Sequence, residues 1–234
     1  YFPKTFAGAQ INQSSSVPEV NFFNKTGSQL TEDHRVRIQV PTSYVSGIYT
    51  NGGNKTITDN LLTRQQGIVF PYSPQIQLEH KADYTSAPVT HSNFQQHFYQ
   101  RSNVGNITVT GQYSVQNDAD AEIYLSTVHL LRSLTKMLTG ADVNAGSPPP
   151  VCRFFAYGPY MFKNVPVAIS SFRADLPEKI DYFTVSSDSI FKNTMVPTLS
   201  SITVTLIPMY SRREQRDFTV GGWLSGNLNK AGYL

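Results

Sequence analysis

Charge is scarce in this chain. Asp, Glu, Lys and Arg make up 15 per cent of its 234 residues, against roughly 25 per cent in ordinary soluble domains, while Ser, Thr, Asn and Gln abound. Such a surface keeps a free monomer poorly in solution and fits a subunit whose faces are covered in an assembly. The formal net charge of +3 is too small to argue a nucleic-acid groove. No apolar run approaches the roughly 20 residues of a membrane-spanning helix, and no charged-then-apolar leader is visible, so the expectation is a soluble protein without membrane contact. Cysteine is almost missing as well. The single Cys152 excludes an intrachain disulfide framework and a thiolate zinc cluster. Its setting, Val151-Cys152-Arg153-Phe154-Phe155, reads as a strand with Cys152 as a small buried apolar residue, not a reactive thiol.

Catalytic motifs are missing too. His34, His80, His91, His97 and His129 are scattered, with no HExxH or HxH spacing and no carboxylate at metal-ligand distance along the chain. There is no GxSxG nucleophile elbow, no Walker A or GxGxxG loop, and no defensible Cys, His and Asn set. The expectation is therefore no catalytic residues, no metal and no cofactor. Asp175, Glu178 and Asp181 bracket Pro177 and read as a solvated turn. The basic burst Arg212, Arg213 and Arg216 suits either phosphate contact or a salt bridge to a neighbouring subunit.

What is present is β patterning with one strong helix. Residues 1–65 read as an N-terminal arm, with strand-like segments over 36–45 and 47–58 and hairpin turn chemistry at Tyr49–Thr56. Residues 66–210 read as one β domain, and 211–234 as a C-terminal tail. Strands are expected over 76–85, whose odd positions Gln77, Glu79, Lys81 and Asp83 are polar or charged, and over 94–101, followed by a turn at 103–106. The helix is expected over 118–138. Asn117 is its N-cap, Asp118, Asp120 and Glu122 put negative charge at its positive end, Tyr124, Val128, Leu131, Leu134 and Leu138 recur at helical spacing, and Gly140 stops it. After the stiff Gly146–Pro150 connector come strands over 152–157, 161–163, 165–172, 180–184 and 201–209.

Two strands share an unusual face. In 107–116 the apolar positions Ile107, Val109, Tyr113 and Val115 alternate with Thr108, Thr110, Gln112 and Ser114; in 201–206 Ile202, Val204 and Leu206 alternate with Ser201, Thr203 and Thr205. Solvent-facing strands usually carry Lys or Glu against edge pairing. Hydroxyls and amides without charge suggest a surface that meets a partner chain or lines a shared channel.

This order of elements, with Ala156-Tyr157-Gly158-Pro159-Tyr160-Met161-Phe162-Lys163-Asn164-Val165-Pro166-Val167 and the closing Met195–Leu206 run, resembles the tail-tube-like proteins of contractile-tailed, T-even-type phages, in particular those at the junction of baseplate and tube. The resemblance covers about residues 68–210. It implies a mainly β fold, a tail-tube-like β-sandwich or partial barrel with one flanking α-helix and extended terminal arms. It also implies a homo-hexameric ring, with hairpins from six copies joined into one barrel through which DNA passes. The implied partners are the adjacent tail-tube ring, baseplate hub or wedge proteins, the sheath and the tape-measure protein, in a virion assembled in the host cytoplasm. On that reading Thr108, Thr110, Gln112, Ser114, Thr203 and Thr205 face the lumen or a neighbour, and Glu79 and Asp83 are competitors that would make the lumen acidic. Two other classes stand beside it. One is a β-sandwich adhesin or carbohydrate-binding module using Tyr157, Tyr160 and Trp223; the other is an enzyme whose residues converge only in three dimensions.

Overall fold

The computed structural model describes residues 34–41, 57–88, 90–140, 145–186 and 189–234. The expected arm over 1–33 and the Tyr49–Thr56 hairpin lie outside the described residues. The fold is mainly β, organised around a seven-stranded sheet. Its strands are β1 (Arg37–Gln39), β2 (Gly67–Val69), β3 (Gln75–Gln77), β6 (Ile107–Ser114), β7 (Cys152–Ala156), β8 (Phe162–Asp175) and β11 (Leu199–Pro208). They lie in the order β2-β1-β7-β8-β11-β6-β3, and every neighbouring pair is antiparallel. A separate ribbon joins β4 (His80–Ala87) to β5 (Gln96–Val104), and β9 (Tyr182–Thr184) pairs with β10 (Met195–Pro197).

The sheet has to curl. β2 and β3 occupy its opposite edges, yet only residues 70–74 connect them. Six strand spacings of a flat sheet span about 29 Å, whereas a five-residue link reaches at most about 21 Å. Phe70 makes the closure visible: its ring lies against Gly111 on β6, where an added Cβ would sit 2.3 Å from Phe70 Cδ1, and its centroid is 6.1 Å from that of Tyr113. The Tyr72 hydroxyl then meets Ser114 Oγ at 2.7 Å.

One face of the curled sheet holds the core, with Ile38, Ile68, Ile107, Val109, Phe154, Val165, Ile202 and Val204 all buried. Helix α2 (Asp118–Leu134) adds Ala121, Tyr124, Val128, Leu131 and Leu134, and Tyr124 packs on Tyr113 with ring centroids 5.8 Å apart. The helix starts as expected. Asn117 Oδ1 accepts the Asp120 N–H at 2.8 Å, which satisfies an otherwise orphaned donor. It ends four residues early, at Leu134 and not Leu138. The Ser133 hydroxyl donates to the Leu130 carbonyl and that of Thr135 to the Leu131 carbonyl, local bonds that compete with another turn. Leu138 N–H is instead taken by the Ser147 carbonyl.

Three further expectations change. The segment read as an arm contributes to the core from residue 36 onward, because Val36, Ile38 and Val40 alternate and are buried, and α1 (Asp59–Arg64) brings in Leu61 and Leu62. The strands expected over 161–163 and 165–172 are one strand, β8. Residues 211–234 are no extended arm either: they fold into α3 (Arg212–Asp217), α4 (Val220–Leu224) and α5 (Asn227–Ala231). Ser211 and Glu214 form a reciprocal capping box that starts α3. Tyr233 stacks on Tyr210 at 5.5 Å, Leu234 is buried, and Gly232 lies against Asn164, where its backbone at φ +97° leaves no room for a side chain.

Candidate functional site

The two hydroxyl-bearing strands are direct neighbours. β6 and β11 pair so that Thr110 stands opposite Thr203, Thr108 opposite Thr205 and Gln112 opposite Ser201, and residues opposite one another share a face. The Thr110 and Thr203 hydroxyls are 3.1 Å apart. β3 extends the same rows with Gln75 beside Thr110 and Gln77 beside Thr108. On the other side β8 adds Ser171, Arg173 and Asp175 opposite Thr205, Thr203 and Ser201. Thr108, Thr110, Ser114, Thr203 and Thr205 are half-buried and Gln112 is exposed, so the face stays partly open to solvent.

The face is free of charge on β6 and β11 but not across its full width. Arg173 and Asp175 stand at the β8 end of the rows and pair with each other. Sequence spacing did not reveal this neighbour, because the register that brings β8 alongside β11 is a long-range pairing. Both sides of this four-strand patch are open among the described residues. β3 is the last strand of the sheet, and β7 covers only the first part of β8, as far as Val167, so the stretch from Ile169 to Asp175 pairs with β11 alone.

β3 and β6 continue out of the sheet as the β4–β5 ribbon. Between the pairs Gln77–Thr108 and His80–Val104 there are two residues on one strand and three on the other, so the turn expected at 103–106 is a β-bulge. Gly105 N–H donates to the Glu79 carbonyl at 2.7 Å, and an added Cβ on Gly105 would lie 2.8 Å from that oxygen, which is why glycine stands there. A second register shift follows Asp83. Bulges bend and twist a strand, and this ribbon leaves the sheet with almost every residue exposed. Tyr84, Phe98 and Tyr99 are more than half exposed and Phe94, near the tip, is 82% exposed. A two-stranded hairpin is marginal by itself in water.

Glu79 and Asp83 belong to this ribbon. Glu79 is exposed at the bulge, and Asp83 is neutralised by Arg101 at 2.9 Å and Lys81 at 3.0 Å. Hydrogen bonds from Arg101 and then Lys81 hold the Asp83 carboxyl below its ordinary range. Arg212, Arg213 and Arg216 are all exposed on α3, with Arg216 beside Asp217 at 3.5 Å. Glu214 is occupied by the capping box, and the Ser211 N–H and hydroxyl lower its pKa.

The remaining groups are dispersed. No cluster of His, Cys, Asp or Glu able to hold a metal occurs among the described residues. His129 stacks on Phe191 at 6.3 Å. Cys152 is fully buried, and burial pushes its thiol up to about 12. Of the aromatics weighed for sugar stacking, the Tyr157 hydroxyl meets Ser73 Oγ and the Pro74 carbonyl, Tyr160 lies under the Lys230 ammonium at 5.0 Å, and Trp223 stands on α4. No described helix is long and apolar enough to cross a membrane. No protein-family model matches the chain, and a search of curated proteins finds no match.

Proposed function

We propose that this chain is a structural subunit of a contractile phage tail, forming a hexameric ring at the junction of baseplate and tail tube. The observation that carries the reading is the four-strand patch β8-β11-β6-β3, which joins a hydroxyl-rich face to two edges open among the described residues. Open edges are an aggregation liability unless blocked by charge or paired. In a ring the β3 edge of one copy takes the second half of β8 of the next, and closure leaves neither of these two edges unpaired. Thr108, Thr110, Gln112, Ser114, Thr203 and Thr205 then line the lumen.

Such a lining suits passage of DNA. Hydroxyls offer a polyanion only weak contacts, whereas free Lys or Arg would hold it by releasing counterions. The one cation in these rows, Arg173, is paired with Asp175. The exposed ribbon fits the same reading, as an element whose aromatic rings are covered by a neighbour. The adjacent tube ring, baseplate hub or wedge proteins, sheath and tape-measure protein are the partners that the resemblance implies, and the role is structural, without catalysis or cofactor.

Electron microscopy of the purified protein tests this. Rings of six copies with a central hole are expected. A protein that stays monomeric at high concentration, or that turns over a substrate, overturns the reading.

A further inference from the structure

Helices α3 to α5 pack as a cap over the start of β8. Gly232 lies against Asn164 and Lys163, and Asn229 on α5 donates to the Tyr160 carbonyl at 3.3 Å. This cap exposes a group of apolar side chains. Val220 and Leu224 stand one helical turn apart on α4 and are 65% and 80% exposed. Thr219 Oγ1 accepts the Gly222 N–H at 3.2 Å, which fixes the start of that turn, and Trp223 beside them is half-buried. The turn before β8 joins the same surface. A Cβ on Gly226, just beyond Leu224, would sit 3.2 Å from Tyr160 Cε1, and Tyr160 and Met161 are themselves more than half exposed.

Cations flank this patch. Lys230 holds its ammonium over the Tyr160 ring at 5.0 Å, Lys163 follows Met161 closely in the chain, and α3 brings Arg212, Arg213 and Arg216; all five are exposed. Acids are few. Glu214 is held in the capping box and Asp217 lies beside Arg216, and no other acid occurs over 151–167 or 210–234. Aliphatic groups with a Tyr and a Trp, edged by Lys and Arg, match the headgroup region of an anionic bilayer. Apolar side chains enter the acyl boundary, aromatic rings settle at the interface, and cations meet lipid phosphates.

We propose that the α3–α5 cap is a peripheral docking surface for an anionic lipid bilayer, with Val220 and Leu224 among the acyl chains and Arg212, Arg213 and Arg216 on the headgroups. A peptide partner would need a groove to lie in. α4 projects instead, since a Cβ on Gly221 would meet nothing within 4 Å. Neither an apolar pair nor a basic cluster holds a bilayer firmly by itself, whereas the two signals together do. The expectation of no membrane contact rests on the lack of a spanning run and a leader, and an interfacial patch assembled by tertiary packing carries neither signal. The contact uses no residue of β3, nor of β8 from Ile169 onward, so it is independent of ring closure.

Trp223 is the one Trp of the chain, so its fluorescence reads this site alone. Mixed vesicles of phosphatidylglycerol and phosphatidylcholine, added to the full chain at low salt, should shift its emission to the blue; vesicles of phosphatidylcholine alone should not. In vesicle co-sedimentation, Arg212→Ala/Arg213→Ala/Arg216→Ala should weaken binding by about a hundredfold. Val220→Ser/Leu224→Ser should weaken it by about tenfold or more. All five side chains are exposed, so the urea midpoint should hold and a loss of binding is not a loss of fold. No blue shift with the anionic vesicles, equal binding to neutral ones, or unaltered binding of the Ser variant overturns the proposal. So does binding to heparin, a lipid-free polyanion, without any response to anionic vesicles.

Discussion

Gly111 is where one missing atom makes room for the link that leaves β2. The Phe70 ring occupies the space that a Cβ would need, 2.3 Å from Cδ1, and Phe70 is the first residue of the link that takes the chain from β2 to β3. Gly111→Ala should therefore destabilise the fold by about 1–3 kcal/mol, the usual cost of overpacking, measured by urea denaturation. Cys152 supplies a second test. Its thiol is raised by burial from 9.0 to about 12, so the folded protein favours the neutral thiol. That contribution is complete below pH 9 and is lost as pH rises from 9 to 12. In the native protein at pH 8 the thiol should resist alkylation, and it should react at once in denaturant; rapid native labelling would contradict the burial.

Elements follow local rules until a long-range partner intervenes. Thr110 lies between Gln75 and Thr203 on a face that the described elements leave partly open. Thr110→Lys should shift the melting temperature by only a few degrees, since its side chain points away from the core. It should nevertheless abolish or deform rings in micrographs, by placing a cation on the proposed lumen. The ribbon makes the converse case. Replacing residues 82–102 by a two-residue turn removes almost no buried surface, so the urea midpoint should stay within the range of surface substitutions while assembly is lost. A collapse of the fold on this deletion would mean that the ribbon supports the sheet.

At the scale of the whole molecule, a chain with so little charge and so many uncovered groups should gain stability from its own copies. Melting temperature should rise with protein concentration, as mass action requires when only the folded state associates; a concentration-independent melt would mean that the monomer is the stable unit. Much of the domain follows from the sequence by itself. Alternation at Ile107–Val115 and Ser201–Leu206 determined two strands with one apolar face, and the Asn117 cap with its acidic first turn determined where α2 begins, because these signals act over a few neighbouring residues. The capping box at Ser211 and Glu214 is equally local, yet the expectation for 211–234 is a tail, because the basic run there draws the reading to charge and not to a helix start. What only the tertiary structure decided was register and closure. Thr110 lies beside Thr203, Arg173 and Asp175 reach the same face, the 103–106 segment bulges where a turn was expected, and the link from Phe70 to Pro74 bends the sheet on itself. These depend on residues tens of positions apart meeting at one spacing, and local pattern carries no record of which strand will be the neighbour.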